Sequence, residues 1–136
     1  MNIEQARFNM IEQQIRPWLL MDESVLELLA IVKREDFVPQ HLKSLAFADL
    51  AIPLLGSSDE ALALGQCMLE PRLEARMLQD LAVQPTETVL EIGAGSGYMA
   101  ALLGKKARSV VSLEMVPELA AMARANLTKA GIQNVE

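Results

Sequence analysis

Glu91, Gly93, Gly95 and Gly97 occupy alternate positions in VLEIGAGSGY, directly after the apolar residues Val89 and Leu90 and around Ile92. Residues of these types at this spacing build a small-molecule site. A short strand delivers the chain to a tight turn, and glycines there admit positive φ and let a ligand approach the backbone. Ser96 can cap a helix starting near Gly97, whose free N–H groups and partial positive charge face whatever lies in the turn. A second chemical group follows at a fixed distance. Ser109–Leu113 is another apolar, β-branched run, and it ends in Glu114, a carboxylate able to accept two hydrogen bonds from a ribose diol.

Spacing separates two cofactor classes. A dinucleotide turn needs its third glycine three residues after the second, and that position holds Tyr98, which would crowd the contact that a glycine relieves. The E-x-G-x-G-x-G pattern instead resembles motif I of the S-adenosylmethionine-dependent methyltransferases. That resemblance implies S-adenosyl-L-methionine as cofactor, held by Glu91, Gly93, Ala94, Gly95, Ser96, Gly97 and Tyr98 in the turn and by Glu114 and Met115 at the second strand.

The elements that position these residues are readable in outline. Ile3, Met10, Ile11 and Ile15 share a helix face that should stop before Pro17. Asp22 or Glu23 opens a second helix through Val25, Leu26, Leu28 and Leu29. From Asp36 to Leu69 the punctuation by Pro39, Pro53, Gly56 and Ser57–Asp59 predicts irregular chain with short strands near 45–47 and 52–54. Pro71 starts a helix that carries Leu73, Met77, Leu78 and Leu81 inward, and Pro117 and Gly131 bracket another. Asn134–Glu136 begins a third strand. The expected division is an N-terminal helical and irregular extension over 1–84 and the first half of a cofactor domain over 85–136. The fold class is α/β, a Rossmann-like methyltransferase fold reduced to about two βα units and the start of a third strand. The first of these strands would then expose an apolar edge, which predicts a fragment, a homo-oligomer joined at that edge, or completion by a partner.

Composition limits the function. With 136 residues, 51% of them hydrophobic, the chain can bury a core of its own, and no apolar run approaches a membrane span. A net charge of −6 without a basic cluster argues against nucleic acid as the main partner. One cysteine excludes an internal disulfide and, with no signal-peptide pattern at the N-terminus, points to the cytoplasm. No Cys, His and carboxylate combination has metal-ligand spacing. His41 reads as a surface residue, Trp18 as packing beside Pro17, and the eight methionines as core filling.

Further stretches narrow the resemblance. IVKREDFVP (31–39), AFADLAIPL (46–54), GQCMLEP (65–71) and VLEIGAGSGY occur in the order and content of the N-terminal part of the protein-L-isoaspartate O-methyltransferase family, with Lys33 where the family often has proline. The resemblance implies methyl transfer to the free carboxylate of isomerised aspartyl residues in damaged proteins, so isoaspartyl peptides are the expected partners. Asp49, Gln66 and Leu69 take the substrate-side positions. An ionised carboxylate needs no strong general base, so alignment and exclusion of water should dominate. The loop departs from the family in one respect: Cys67 and Leu69 stand where it carries threonine and serine, and the loop before them, 55–64, is longer. Both hydroxyls are gone. Repair activity is therefore expected to be weak, altered or absent. The alternatives are a cofactor-binding protein without this reaction and a truncated, non-catalytic domain; the chain alone is expected to bind cofactor poorly.

Overall fold

A computed structural model describes residues 1–136. Its elements are α1 (Ile3–Asn9), α2 (Glu23–Ile31), β1 (Ile52–Pro53), α3 (Ser58–Ala63), β2 (Cys67–Met68), α4 (Pro71–Leu81), β3 (Thr88–Ile92), α5 (Tyr98–Lys106), β4 (Ser109–Leu113) and α6 (Pro117–Lys129). Local capping explains the first of them. The Asn2 side chain accepts from the Gln5 N–H at 3.1 Å to open α1, and Asp22 accepts from Ser24 to open α2. The first helix does not stop before Pro17. It widens to a π turn over Met10–Ile15 and tightens to a 3-10 turn over Arg16–Trp18, so Pro17 falls in the last turn and the helix ends one residue after it. Met10, Ile11 and Ile15 are buried, whereas Ile3 is exposed.

The middle of the chain is more ordered than its punctuation predicts. Ser57 does not mark irregular chain; it caps α3 by accepting from the Glu60 N–H, while its hydroxyl lies 3.2 Å from the Glu60 carboxylate. The spacing is that of a Ser-x-x-Glu capping box, with the carboxylate accepting from the Ser57 hydroxyl in place of its backbone N–H. No strand forms at 45–47, where a 3-10 turn over Gln40–Leu45 leads into buried Ala46 and Phe47. The second expected strand exists as β1, antiparallel to β2 through Ile52↔Met68 and Pro53↔Cys67.

β3 and β4 are parallel, from Thr88↔Ser109 to Ile92↔Leu113, and Val135 bridges Val110 on the far side of β4. β3 therefore has one strand neighbour. Val89, Glu91, Val110 and Ser112 face inward, and α5 packs against α4, α6 and β4. The opposite face is open: Leu90, Ile92, Val111 and Leu113 are exposed, Ile92 by 80%. The apolar run of β3 is thus covered on one face, not on both as its composition predicts. α4 is likewise rotated from expectation. Leu78 is buried with Ala75 and Glu74, but Leu73, Met77 and Leu81 are exposed, because the stripe that turns inward carries a carboxylate to a buried arginine. A single core of 28 residues runs from Met10 to Leu127 and draws on both 1–84 and 85–136.

Candidate functional site

The glycine turn is tied to the neighbouring strand by its own backbone. The Gly93 N–H donates to the Leu113 carbonyl at 2.7 Å, and the Gly97 N–H closes the turn on Ala94 at 2.9 Å. Gly95 adopts φ 55° and donates its N–H to Glu114 Oε1 at 2.9 Å; Oε2 accepts from the Val116 N–H at 3.1 Å. Glu114 is therefore drawn onto the turn itself. Gly97, at φ 86°, ends the turn where a Cβ would lie 3.2 Å from the Ala123 backbone, so its missing side chain is what lets α5 approach α6.

Ser96 behaves differently from expectation. It is buried and does not cap α5, whose N-cap is Gly97 with no side-chain hydrogen bond. Its carbonyl instead accepts from Asn126 Nδ2 at 2.9 Å, a brace from α6. Tyr98 points into the core, with its ring 5.4 Å from that of Phe37 and beneath the Arg34 guanidinium at 5.2 Å. Burial pushes its phenol well above the usual range. Glu91 lies on the inner face and accepts from Ser112 Oγ at 2.5 Å. Burial raises its carboxyl to about 7 against the Ser112 hydrogen bond, and the charge of Glu114 adds to the rise.

The turn faces the Gln66–Pro71 loop across two adjoining cavities. One, of about 360 Å³, lies between Cys67, Met68 and Leu69 and the turn residues Gly93–Ser96, with Glu74, Glu91 and Tyr98 in its wall. The other, of about 510 Å³, runs from Gln66 and Cys67 past Gly93 and Gly95 to Glu114 and the exposed Met115. Gln66, Cys67, Leu69 and the residues expected to hold cofactor are thus brought together, except that Gly97 serves helix packing. Asp49 is placed elsewhere. It pairs with Arg72 Nε at 3.2 Å and lines neither cavity, while Arg72 stacks on Trp18 at 4.0 Å. At Cys67 burial, then the charges of Glu70 and Glu74, push the thiol up and disfavour the thiolate.

Two residues at the site escaped the sequence reading. Arg34 is fully buried and makes three bonds, to Glu74 Oε2 at 2.7 Å, the Leu69 carbonyl at 2.7 Å and the Ala46 carbonyl at 2.9 Å. Glu74 accepts from the Leu69 N–H at 3.2 Å through its other oxygen. Burial raises Glu74 to about 7, opposed by Arg34. A signal existed: Glu74 stands four residues before Leu78 in the same buried stripe, a position at which a carboxylate needs a buried cation.

Comparison with known proteins agrees with this architecture. The family model for protein-L-isoaspartate(D-aspartate) O-methyltransferase matches residues 5–136. The protein-L-isoaspartate O-methyltransferase of Herpetosiphon aurantiacus is 38% identical over 98% of this chain and 56% of its own length. That of Koribacter versatilis is 40% identical over 95% and 54%. The chain therefore spans about half the length of these relatives. Among solved structures, a protein-L-isoaspartate O-methyltransferase superposes with a TM-score of 0.69 at 21% identity, covering 98% of this chain and 40% of the other. A putative protein-L-isoaspartate O-methyltransferase from Plasmodium falciparum, solved in complex with S-adenosyl-L-homocysteine, does so at 0.68 and 19%, covering 95% and 60%. These likenesses show the Rossmann-like methyltransferase fold. The extent of the family match and its agreement with the turn, the loop and their order lead to one conclusion: the chain belongs to the protein-L-isoaspartate(D-aspartate) O-methyltransferase family.

Proposed function

We propose that this chain supplies the S-adenosylmethionine site and the substrate loop of a cytoplasmic protein carboxyl O-methyltransferase acting on isoaspartyl residues. The observation that carries the reading is Glu114 drawn onto the glycine turn at the mouth of the second cavity. A carboxylate offers about four acceptor sites. Two are taken by the Gly95 and Val116 N–H groups, which leaves acceptors for a ribose diol. Gly93 has no heavy atom within 4 Å of where a Cβ would stand, so the backbone there is open to close approach. The residues fit the cofactor.

S-adenosylmethionine, when bound, supplies an electrophilic methyl group on a sulfonium. The protein's part is positional. The turn and Glu114 hold one reactant, the loop bounds the space opposite, and Met68, Leu69, Met77 and Met99 give that space an apolar lining. That carboxylate is already ionised near neutral pH, so no residue need act as general base. The substrate-side positions Asp49, Gln66 and Leu69 are part of the proposal, with Gln66 and Leu69 at the cavities and Asp49 acting from its Arg72 pair outside them.

A second reading is favoured by one feature of the loop. Leu69 has no side-chain donor, and its N–H and carbonyl are both consumed by Glu74 and Arg34, so position 69 offers a substrate carboxylate nothing to bind. The site would then retain cofactor with weak or absent repair. Incubation with labelled S-adenosylmethionine and an isoaspartyl peptide separates the readings: brisk turnover supports repair, and peptide-independent cofactor binding without turnover supports the second.

A further inference from the structure

The most completely buried charge in the molecule, Arg34, lies within the IVKREDFVP stretch but was assigned no role there. Arg34 leaves a 3-10 turn over Arg34–Phe37 and reaches three separate segments at once: Ala46 on the way to Asp49, Leu69 in the substrate loop, and Glu74 on α4. Its guanidinium also covers Tyr98, the first residue of the helix that follows the glycine turn. Five donors in a rigid fork allow this; a lysine ammonium could not satisfy the same three acceptors from one plane. Glu74 completes the arrangement by accepting from the Leu69 N–H. Both backbone polar groups of Leu69 are thus held by the two members of a single buried ion pair.

Desolvating such a pair offsets much of its attraction, so stability alone is a poor account of it. Its consequence is geometric. A two-residue strand and a single proline are little to fix a loop, yet Cys67–Leu69 forms one wall of a cavity whose other wall is the glycine turn. We propose that Arg34 and Glu74 are positioning residues that clamp the 66–71 loop at Leu69 and set its distance from the glycine turn. The clamp acts through the loop backbone, so it fixes where position 69 presents its side chain whatever that side chain is. It rests on the cofactor reading only for the identity of what the loop covers.

Backbone exchange and ligand binding test the clamp together. In the wild-type chain, the Leu69 amide should exchange nearly as slowly as the amide of Leu78 in α4. In Arg34→Met/Glu74→Leu, which replaces the pair by apolar groups of similar size, α4 should stay protected. Protection at Leu69 should fall by about tenfold or more, as expected when a charge-assisted bond is lost. Affinity for S-adenosylhomocysteine, by calorimetry, should fall by about threefold or more with it. Arg34→Lys, which keeps the charge, should not restore Leu69 protection. Fast exchange of Leu69 in the wild type overturns the clamp even if the double variant fails to fold. So does unchanged Leu69 protection or unchanged affinity in a folded double variant, or full restoration by lysine. Slow, pair-dependent exchange with no saturable ligand binding in any variant upholds the clamp and rejects the cofactor reading instead.

Discussion

The glycine turn and the 66–71 loop face each other across the same cavities, but they are built by opposite means. The turn is held by near neighbours: Gly93 bonds to Leu113, Gly95 to Glu114, and Gly97 packs on Ala123, all within one βαβα stretch. The loop is held from far along the chain, by an arginine 35 residues upstream of Leu69 and a carboxylate on the following helix. Local construction makes the turn robust to changes elsewhere. Remote construction makes the loop hostage to one buried pair, and lets its exposed side chains vary without moving its backbone.

The largest expected effect breaks the remote half. Arg34→Ala leaves Glu74 buried without its cation and three acceptors without their donor, and should cost about 3–5 kcal/mol in urea unfolding. Retained stability would mean that the loop is not held from Arg34. The local half should respond more mildly. Gly97→Ala forces an L residue to φ 86° and sets its Cβ 3.2 Å from the Ala123 backbone, a cost of about 1–3 kcal/mol in the same measurement. A neutral result would remove the helix contact as the reason for that glycine.

The smallest effect concerns protons. Glu91 has a folded value of about 7 against an ordinary 4.5, because burial disfavours its charge. The folded state then binds this proton more tightly than the unfolded chain, so the stability it contributes is full below pH 4.5 and is lost as pH rises through 7. Relative to Glu91→Gln, which cannot ionise, the wild type should lose about 1–2 kcal/mol between pH 4.5 and 8, the figure being moderated by a half-buried setting. A flat difference curve would mean that Glu91 is ionised throughout.

What could be read in advance follows the same division. The convergence of Gly93, Gly95 and Glu114 on one turn was legible because both strands and the turn lie within residues 88–114, whereas Gly97, read as a cofactor residue, serves helix packing. The helices opened by Asp22, Pro71 and Pro117 were legible from their caps. The orientation of α4 was not, since Leu73, Met77 and Leu81 outnumber Glu74 in any hydrophobic count, and only the remote Arg34 decides which stripe turns inward. α3 carried a readable Ser57–Glu60 box that the surrounding Gly, Ser and Asp obscured. Asp49 takes its substrate-side assignment from the family resemblance alone, and its Arg72 partner becomes evident only in space.

The central claim is that the turn and Glu114 form a working adenosyl site on this chain. Calorimetric titration with S-adenosylhomocysteine, of the wild type and of Glu114→Ala, tests it most directly. Weak but saturable one-to-one binding by the wild type is expected, weakened further by about tenfold or more when the ribose acceptor is removed, as for loss of a hydrogen bond to a charged group. No saturable binding by the folded chain, or binding indifferent to Glu114→Ala, would contradict it.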